Sequence, residues 1–302
     1  MIYQYLDHSE ESFVPAIMAL KESVRLQQQN ANGGLWYYAN PSNLSAYHNL
    51  SYSDGMFSYP AFAILSDIFC PDSKSAGDDE LFGAEAAVKQ VSIIYAICRE
   101  DSGLVVHGYD AAKAHRWANP ETGASPVVWG RSLAWYTLGI LNCLDVLKSF
   151  EMTGPVLDTL TQLFNDLLSA QIAADDRSLQ TEGTHGVWQI VDQPGASFGG
   201  HENFVEASAS CMTAYSLLKA ARLGLIGDAD LKRRAISTGI GTYRQVLQEF
   251  VIFEKNDSIS LDGTSAVASL SGDVDFSVSK DSPFDTLLLT RVVLRFQAHH
   301  FE

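Results

Sequence analysis

The segment EDSGLVVHGY, residues 100–109, decides how this chain folds. It closes a run over 81–99 in which apolar residues fall three and four apart, the spacing of a helix with one buried face. A polar turn with Gly103 then breaks the helix, and apolar residues lead on to His107 and Tyr109. The same order returns in ANGGLWYY (31–38), in TEGTHGVWQIV (181–191) and, more faintly, in DGTSAV (262–267). These copies lie roughly 70–80 residues apart, which suits a unit of two antiparallel helices and one long loop. Repeated units of this kind close into an (α/α) toroid, whose inner helices and loops rim a central cleft.

Working outward, the helical period also covers 13–29, 131–148, 156–173, 203–223 and 230–253. The one β-leaning piece lies near 258–278. The expected class is therefore all-α. About eight helices can be counted, fewer than a ring of six pairs requires, so the toroid is expected to be incomplete. Residues 1–302 read as a single domain.

Composition narrows the partners. The net charge of −16 sets the chain against nucleic acid, and no apolar run approaches the length of a membrane span. An acidic ligand would have to be held by a few local cations. The aromatic share, 11% with five Trp and twelve Tyr, fits a binder of flat sugar rings as well as an aromatic core. The N-terminal residues show no basic segment followed by an apolar one, so a cytoplasmic location is expected, with secretion left open by a longer natural N-terminus. Cys70, Cys98, Cys143 and Cys211 sit in or beside apolar helical stretches and read as buried thiols. His107, His185 and His201 lack a metal-binding spacing, and neither a metal nor an organic cofactor is expected.

Candidate chemistry collects in three places. Between 103 and 136 stand His107, Tyr109, Asp110, Trp117, Trp129, Arg131 and Trp135. Trp129 and Trp135, six apart, point about 120° from each other on a helix and would line a curved wall. Arg131 between them offers a planar fork to a carboxylate, or is a surface charge beside two core indoles. In NLSYSDGMFSYPAF (49–62), Asp54 precedes a glycine where a loop turns into an apolar helix. It is either a helix cap or a proton donor in an aromatic pocket, with Tyr52 beside it. The third place, 184–215, holds His185, Trp188, Asp192, His201, Glu202 and Glu206. There Glu202 or Asn203 is expected to cap the next helix, with Glu206 favoured in its first turn by the helix dipole.

Taken together, GGLWYY (33–38), SYSDGMFSYPAF (51–62), HGYD (107–110), RWANPETGASPVVWGRSLAWY (116–136), VWQIVDQP (187–194), NFVEASASCMTAYSLLKAARLG (203–224) and GTSAVASL (263–270) resemble the unsaturated rhamnogalacturonyl hydrolases, glycoside hydrolase family 105, and more distantly the unsaturated glucuronyl hydrolases. The resemblance covers roughly residues 15–270 and implies an (α/α)6 toroid. It also implies hydration of the enol ether of a Δ4,5-unsaturated galacturonyl residue on a rhamnogalacturonan-derived oligosaccharide, an acidic partner. By the family's pattern Asp54 is the general acid/base, and Tyr52, His107, Trp129, Arg131, Trp135 and Trp188 contact the substrate, while Asp110 either contacts it too or has a structural role in its own loop. Tyr52 stands where many relatives carry Trp. Relatives have further helix pairs ahead of the region matched here, and 279–302 departs from the family ending as a divergent tail. The alternatives are an unsaturated glucuronyl hydrolase, or a truncated relative that only binds acidic sugars.

Overall fold

The structure is a computed structural model and describes residues 13–38, 45–70, 80–198, 201–254, 258–265 and 292–294. Seven α-helices occur among the described residues: α1 (Phe13–Arg25), α2 (Tyr59–Phe69), α3 (Ala84–Cys98), α4 (Gly130–Ser149), α5 (Pro155–Glu182), α6 (Ala207–Leu223) and α7 (Ala229–Glu249). From α2 onward they form hairpins, α2 with α3, α4 with α5 and α6 with α7. Across the hairpins, α2 packs on α4 and α4 on α6, while α3 packs on α5 and α5 on α7. Two concentric rows result, an inner one of α2, α4 and α6 and an outer one of α3, α5 and α7.

Side-chain chemistry explains which helix takes which row. Helix α4 buries residues on every face, from Leu133, Ala134 and Tyr136 through Leu138, Ile140, Leu141, Leu144 and Leu147, so only a central position suits it. Helix α7 buries Ala235, Thr238, Gly239, Thr242 and Val246 along one stripe and turns the rest outward. Asp228 caps α7 by accepting from the Leu231 amide, and left-handed Gly183 and Gly224 end α5 and α6.

Several boundaries differ from the sequence expectation. Helix α5 runs on to Glu182, past the expected end at 173, because Ala174, Asp175 and Ser178 keep a buried side in that polar stretch. Helix α6 starts at Ala207, not 203, since Asn203 spends its side chain on the backbone of Ile190. Beyond α7, Val251–Phe253 is a strand that pairs with Ile259–Leu261, where the helical period was expected to continue to 253. Most of the 263–270 motif and of the 279–302 tail lies outside the described residues. Cys98 and Cys143 are buried thiols as expected, but Cys70 and Cys211 are only half-buried.

The long connections lead from α1, α3 and α5 to the inner helices α2, α4 and α6, and they carry the repeated turns. Gln29 bridges Leu35 after α1, and Arg99 bridges Val105 after α3, each closing a small β-turn around the glycine. Strand β1 (Leu50–Tyr52) then pairs antiparallel with β2 (Gly108–Asp110), which ties the first long loop to the second. Asn30 fastens the pair by donating to Ser51 Oγ and Tyr109 Oη, both at 2.9 Å. The N-termini of α2, α4 and α6 thereby come to one end of the inner row.

Candidate active site

Asp54 sits in the 3-10 turn Ser53–Phe57, between β1 and α2. Its turn rests on α4, where Gly139 allows the closest approach: a Cβ there would stand 1.8 Å from the Met56 carbonyl oxygen. Three side chains surround the carboxylate. Ser132, in the first turn of α4, donates its hydroxyl to Asp54 Oδ2, and Ser53 Oγ lies 2.5 Å from Ser132 Oγ. His107 Nε2 stands 3.6 Å from the same Oδ2, with its ring 1% exposed. The His107 carbonyl accepts from Ser53 Oγ at 2.9 Å and lies 3.2 Å from Ser132 Oγ.

An aromatic wall runs through this point and joins all three long loops. Tyr38 meets Tyr37 edge-on, and Tyr37 stacks on Tyr52 at 4.3 Å. Tyr52 tilts against His107 at 5.1 Å, and His107 against Trp129 at 4.7 Å. Arg131 lies over the Trp129 ring at 4.5 Å and pairs with Glu206 Oε1 at 3.3 Å. The wall thus ends on α6, where Glu206 is wholly buried and is itself the cap, accepting from the Ala209 amide. That corrects the expectation that Glu202 or Asn203 caps this helix, and that Glu206 lies within its first turn. Glu206 also accepts from Ser208 Oγ and from the Ser265 amide, so every acceptor site is used close at hand.

The wall borders a cavity of about 560 Å³ between α1, the GGLWYY loop and the start of α2. Trp36, Tyr37, Tyr38, Tyr52 and Tyr59 supply its aromatic surface. Asp54 is the one carboxylate among the described residues that line it. Burial, and next the charge of Asp54, push the Tyr37 phenol up to about 12, so it stays a neutral hydrogen-bonding group. Burial pulls the Arg131 guanidinium down, while Glu206 and Asp54 oppose that and hold it charged.

Of the residues singled out from sequence, Asp54, Tyr52, His107, Trp129 and Arg131 come together in this one arrangement. Trp135 stands a turn further along α4, tilted on Phe57 at 4.4 Å. Two others, Asp110 and Trp188, are placed away from this cluster. Asp110 is 1% exposed and accepts from the amides of Ala112, Ala114 and His115 and from His115 Nδ1 at 2.8–2.9 Å, which uses it up in its own loop. Burial pushes that carboxyl up, but His115 and the amides outweigh it and hold Asp110 below the usual carboxylate range. Trp188 is packed in the protein and gives its indole N–H to Ser178 Oγ at 2.7 Å. Sequence reasoning missed Ser132, Ser53, Tyr37 and Glu206 as parts of the site. Tyr37 and Ser132 lie inside quoted motifs, but nothing in their spacing says that they meet Asp54. Among the described residues no three His, Cys, Asp or Glu side chains gather as ligands for a metal ion.

The family model described as Glycosyl Hydrolase Family 88 matches residues 1–283. The chain belongs to that family. It is therefore a glycoside hydrolase by descent, in keeping with the resemblance drawn from its motifs. Protein Atu3128 of Agrobacterium fabrum is 32% identical over 200 residues, spanning 66% of this chain and 78% of that one. The 24.9 kDa protein in the picA locus of Rhizobium radiobacter matches to the same extent. Among solved structures, a family 105 glycoside hydrolase from C. acetobutylicum superposes with a TM-score of 0.72 at 25% identity, covering 94% of this chain and 70% of that one. A family 88 glycosyl hydrolase from Bacteroides vulgatus shares the fold, with a TM-score of 0.50 at 15% identity over 74% of this chain and 55% of that one. The two rows of helices are accordingly part of an (α/α)6 toroid, and the Asp54 cluster lies at the loop-bearing end of its inner row.

Proposed function

We propose that this glycoside hydrolase removes a Δ4,5-unsaturated galacturonyl residue from rhamnogalacturonan-derived oligosaccharides, with Asp54 as its general acid and base. One observation carries the reading: Asp54 is the single carboxylate that the described residues bring to the aromatic cavity. Hydrolysis at the glycosidic carbon normally needs two carboxyl groups facing across the bond, about 5 to 9.5 Å apart. Glu206, at the far end of the wall, is buried and committed to Arg131 and to its helix, which leaves Asp54 without such a partner.

Hydration of an enol ether needs only one such group. Asp54 gives its proton to C4 of the unsaturated ring, and the positive charge that develops is shared between C5 and the ring oxygen. Water then adds at C5 and returns a proton to the Asp54 carboxylate. The C5 hemiketal opens by breaking its bond to the ring oxygen, which becomes a hydroxyl on C1. Collapse of that C1 hemiacetal to an aldehyde expels the neighbouring sugar. Trp36, Tyr37 and Tyr52 line the cavity and supply flat faces for the rings, with His107 and Trp129 packed behind Tyr52, and Arg131, on the Trp129 ring, supplies the positive group that an acidic sugar requires.

The test is loss of the enol ether's ultraviolet absorbance when the protein meets the unsaturated disaccharide. Asp54→Asn should lower kcat by about 10² to 10⁴-fold, and near-parent turnover in that variant would remove Asp54 from the role. The family 88 match favours a second reading, an unsaturated glucuronyl residue as substrate, and a panel of both disaccharides separates the two. Binding of either without turnover would instead mark the chain as a sugar-binding relative.

A further inference from the structure

We infer that Ser132 is a positioning residue that holds the Asp54 carboxylate by one oxygen and so leaves the other, Oδ1, to carry the proton exchanged with substrate. This rests on the proposed role of Asp54. The Ser132 hydroxyl donates to Oδ2, and His107 Nε2 faces the same oxygen at 3.6 Å. Asp54 Oδ1 takes no hydrogen bond from the described residues, and the side chain is 17% exposed at the cavity wall. The two oxygens are therefore unequal: one accepts the Ser132 hydroxyl and the other accepts no hydrogen bond from the described residues.

Ser132 is well placed to hold this asymmetry. It is wholly buried in the first turn of α4, so its Cβ is fixed by the helix. Ser53 Oγ at 2.5 Å and the His107 carbonyl at 3.2 Å leave its hydroxyl little room to turn elsewhere. A hydroxyl has one proton to give. Ser53 gives its own to the His107 carbonyl, which leaves Ser132 to face the carboxylate. Without the Ser132 hydroxyl, Asp54 could rotate about its side-chain bonds and present either oxygen to the cavity. The acid proton would then be misdirected in part of the molecules, with the sugar still bound by the aromatic wall.

The experiment compares the full chain with Ser132→Ala and Ser132→Thr, by steady-state kinetics on the unsaturated disaccharide and by crystal structures of each protein, with thermal melting to show that each is folded. Ser132→Ala should lower kcat by about tenfold or more with KM nearly unchanged, and the Asp54 carboxylate should occupy a rotated or split position. Ser132→Thr, which keeps the hydroxyl, should restore most of kcat. An Asp54 carboxylate that keeps its position in Ser132→Ala overturns the inference whatever the activity, as does a parent-like kcat. A carboxylate that rotates in Ser132→Ala, in a protein whose parent form does not turn over either disaccharide, upholds the placement by Ser132 and counts against the proposed substrate alone.

Discussion

At the scale of single residues, the contrast between Arg131 and Asp54 is instructive. Both stand at the N-terminal end of an inner helix, yet the fold treats their charges in opposite ways. Arg131 is 12% exposed and has been given an internal counter-ion, the fully buried Glu206, together with the face of Trp129. Charges withdrawn from water in this manner are costly to separate, because the partner left behind has lost its solvation and gains nothing in return. Glu206→Gln should therefore destabilise the protein by about 3 kcal/mol, read as a shift in the urea midpoint. It should also weaken the substrate by letting Arg131 leave the Trp129 ring. A variant as stable as its parent would mean that this pair contributes nothing to the join between α4 and α6. Asp54, by contrast, lines a cavity and has one oxygen that takes no hydrogen bond from the described residues, an arrangement that suits the proton exchange proposed for it.

The elements follow from the same accounting of polar groups. The loop after β2 must turn back on itself within a few residues, and Asp110 makes this possible by gathering the amides of Ala112, Ala114 and His115. Its carboxyl is held below the ordinary range, so its ionised form favours the folded state. For a carboxyl depressed in this way, the stabilisation is present above its unfolded value and is lost as pH falls through the folded one. Asp110→Asn should cost about 2 kcal/mol near neutral pH. The gap between parent and variant should narrow as pH drops below about 4. Denaturant titrations at several pH values would show this, and a gap that stays constant down to the acid limit would contradict it. Sequence alone marked Asp110 as notable, but left open whether it touches substrate or holds its own loop. The structural role needed the positions of amides as many as five residues further on.

For the whole molecule, the two rows of helices bring three separate loops to one end. Aromatic residues of the first two interlock from Tyr38 through Tyr37, Tyr52, His107 and Trp129 to Arg131, which pairs with Glu206 at the end of the third. The site is thus a property of the ring and not of any one loop. Net charge acts at this scale as well. A protein of charge −16 would repel the acidic sugar of the proposed function at a distance, while Arg131, in that proposal, would attract it nearby. Salt screens the distant repulsion first, since the Debye length falls to about 8 Å at physiological ionic strength. The KM for the unsaturated acidic disaccharide should therefore fall, by about twofold or more, between about 0.01 M and 0.15 M salt. A KM that rises with salt would show that local attraction dominates throughout.

The sequence by itself determined the class of fold, the hairpin repeat and the identity of the aromatic and acidic residues near the centre. These follow from local causes: the spacing of apolar residues sets helices, and glycine turns set their ends. Tertiary structure alone decided which of the marked residues meet. It placed Asp54 against Ser132, some eighty residues later in the chain, gave Arg131 to Glu206, and gave Asp110 and Trp188 partners away from the Asp54 cluster. No local pattern encodes those outcomes, because each depends on where a neighbouring hairpin puts its own donors and acceptors. Buried polar groups take the partners that packing brings within reach, and packing is settled only when the rows of helices close on one another.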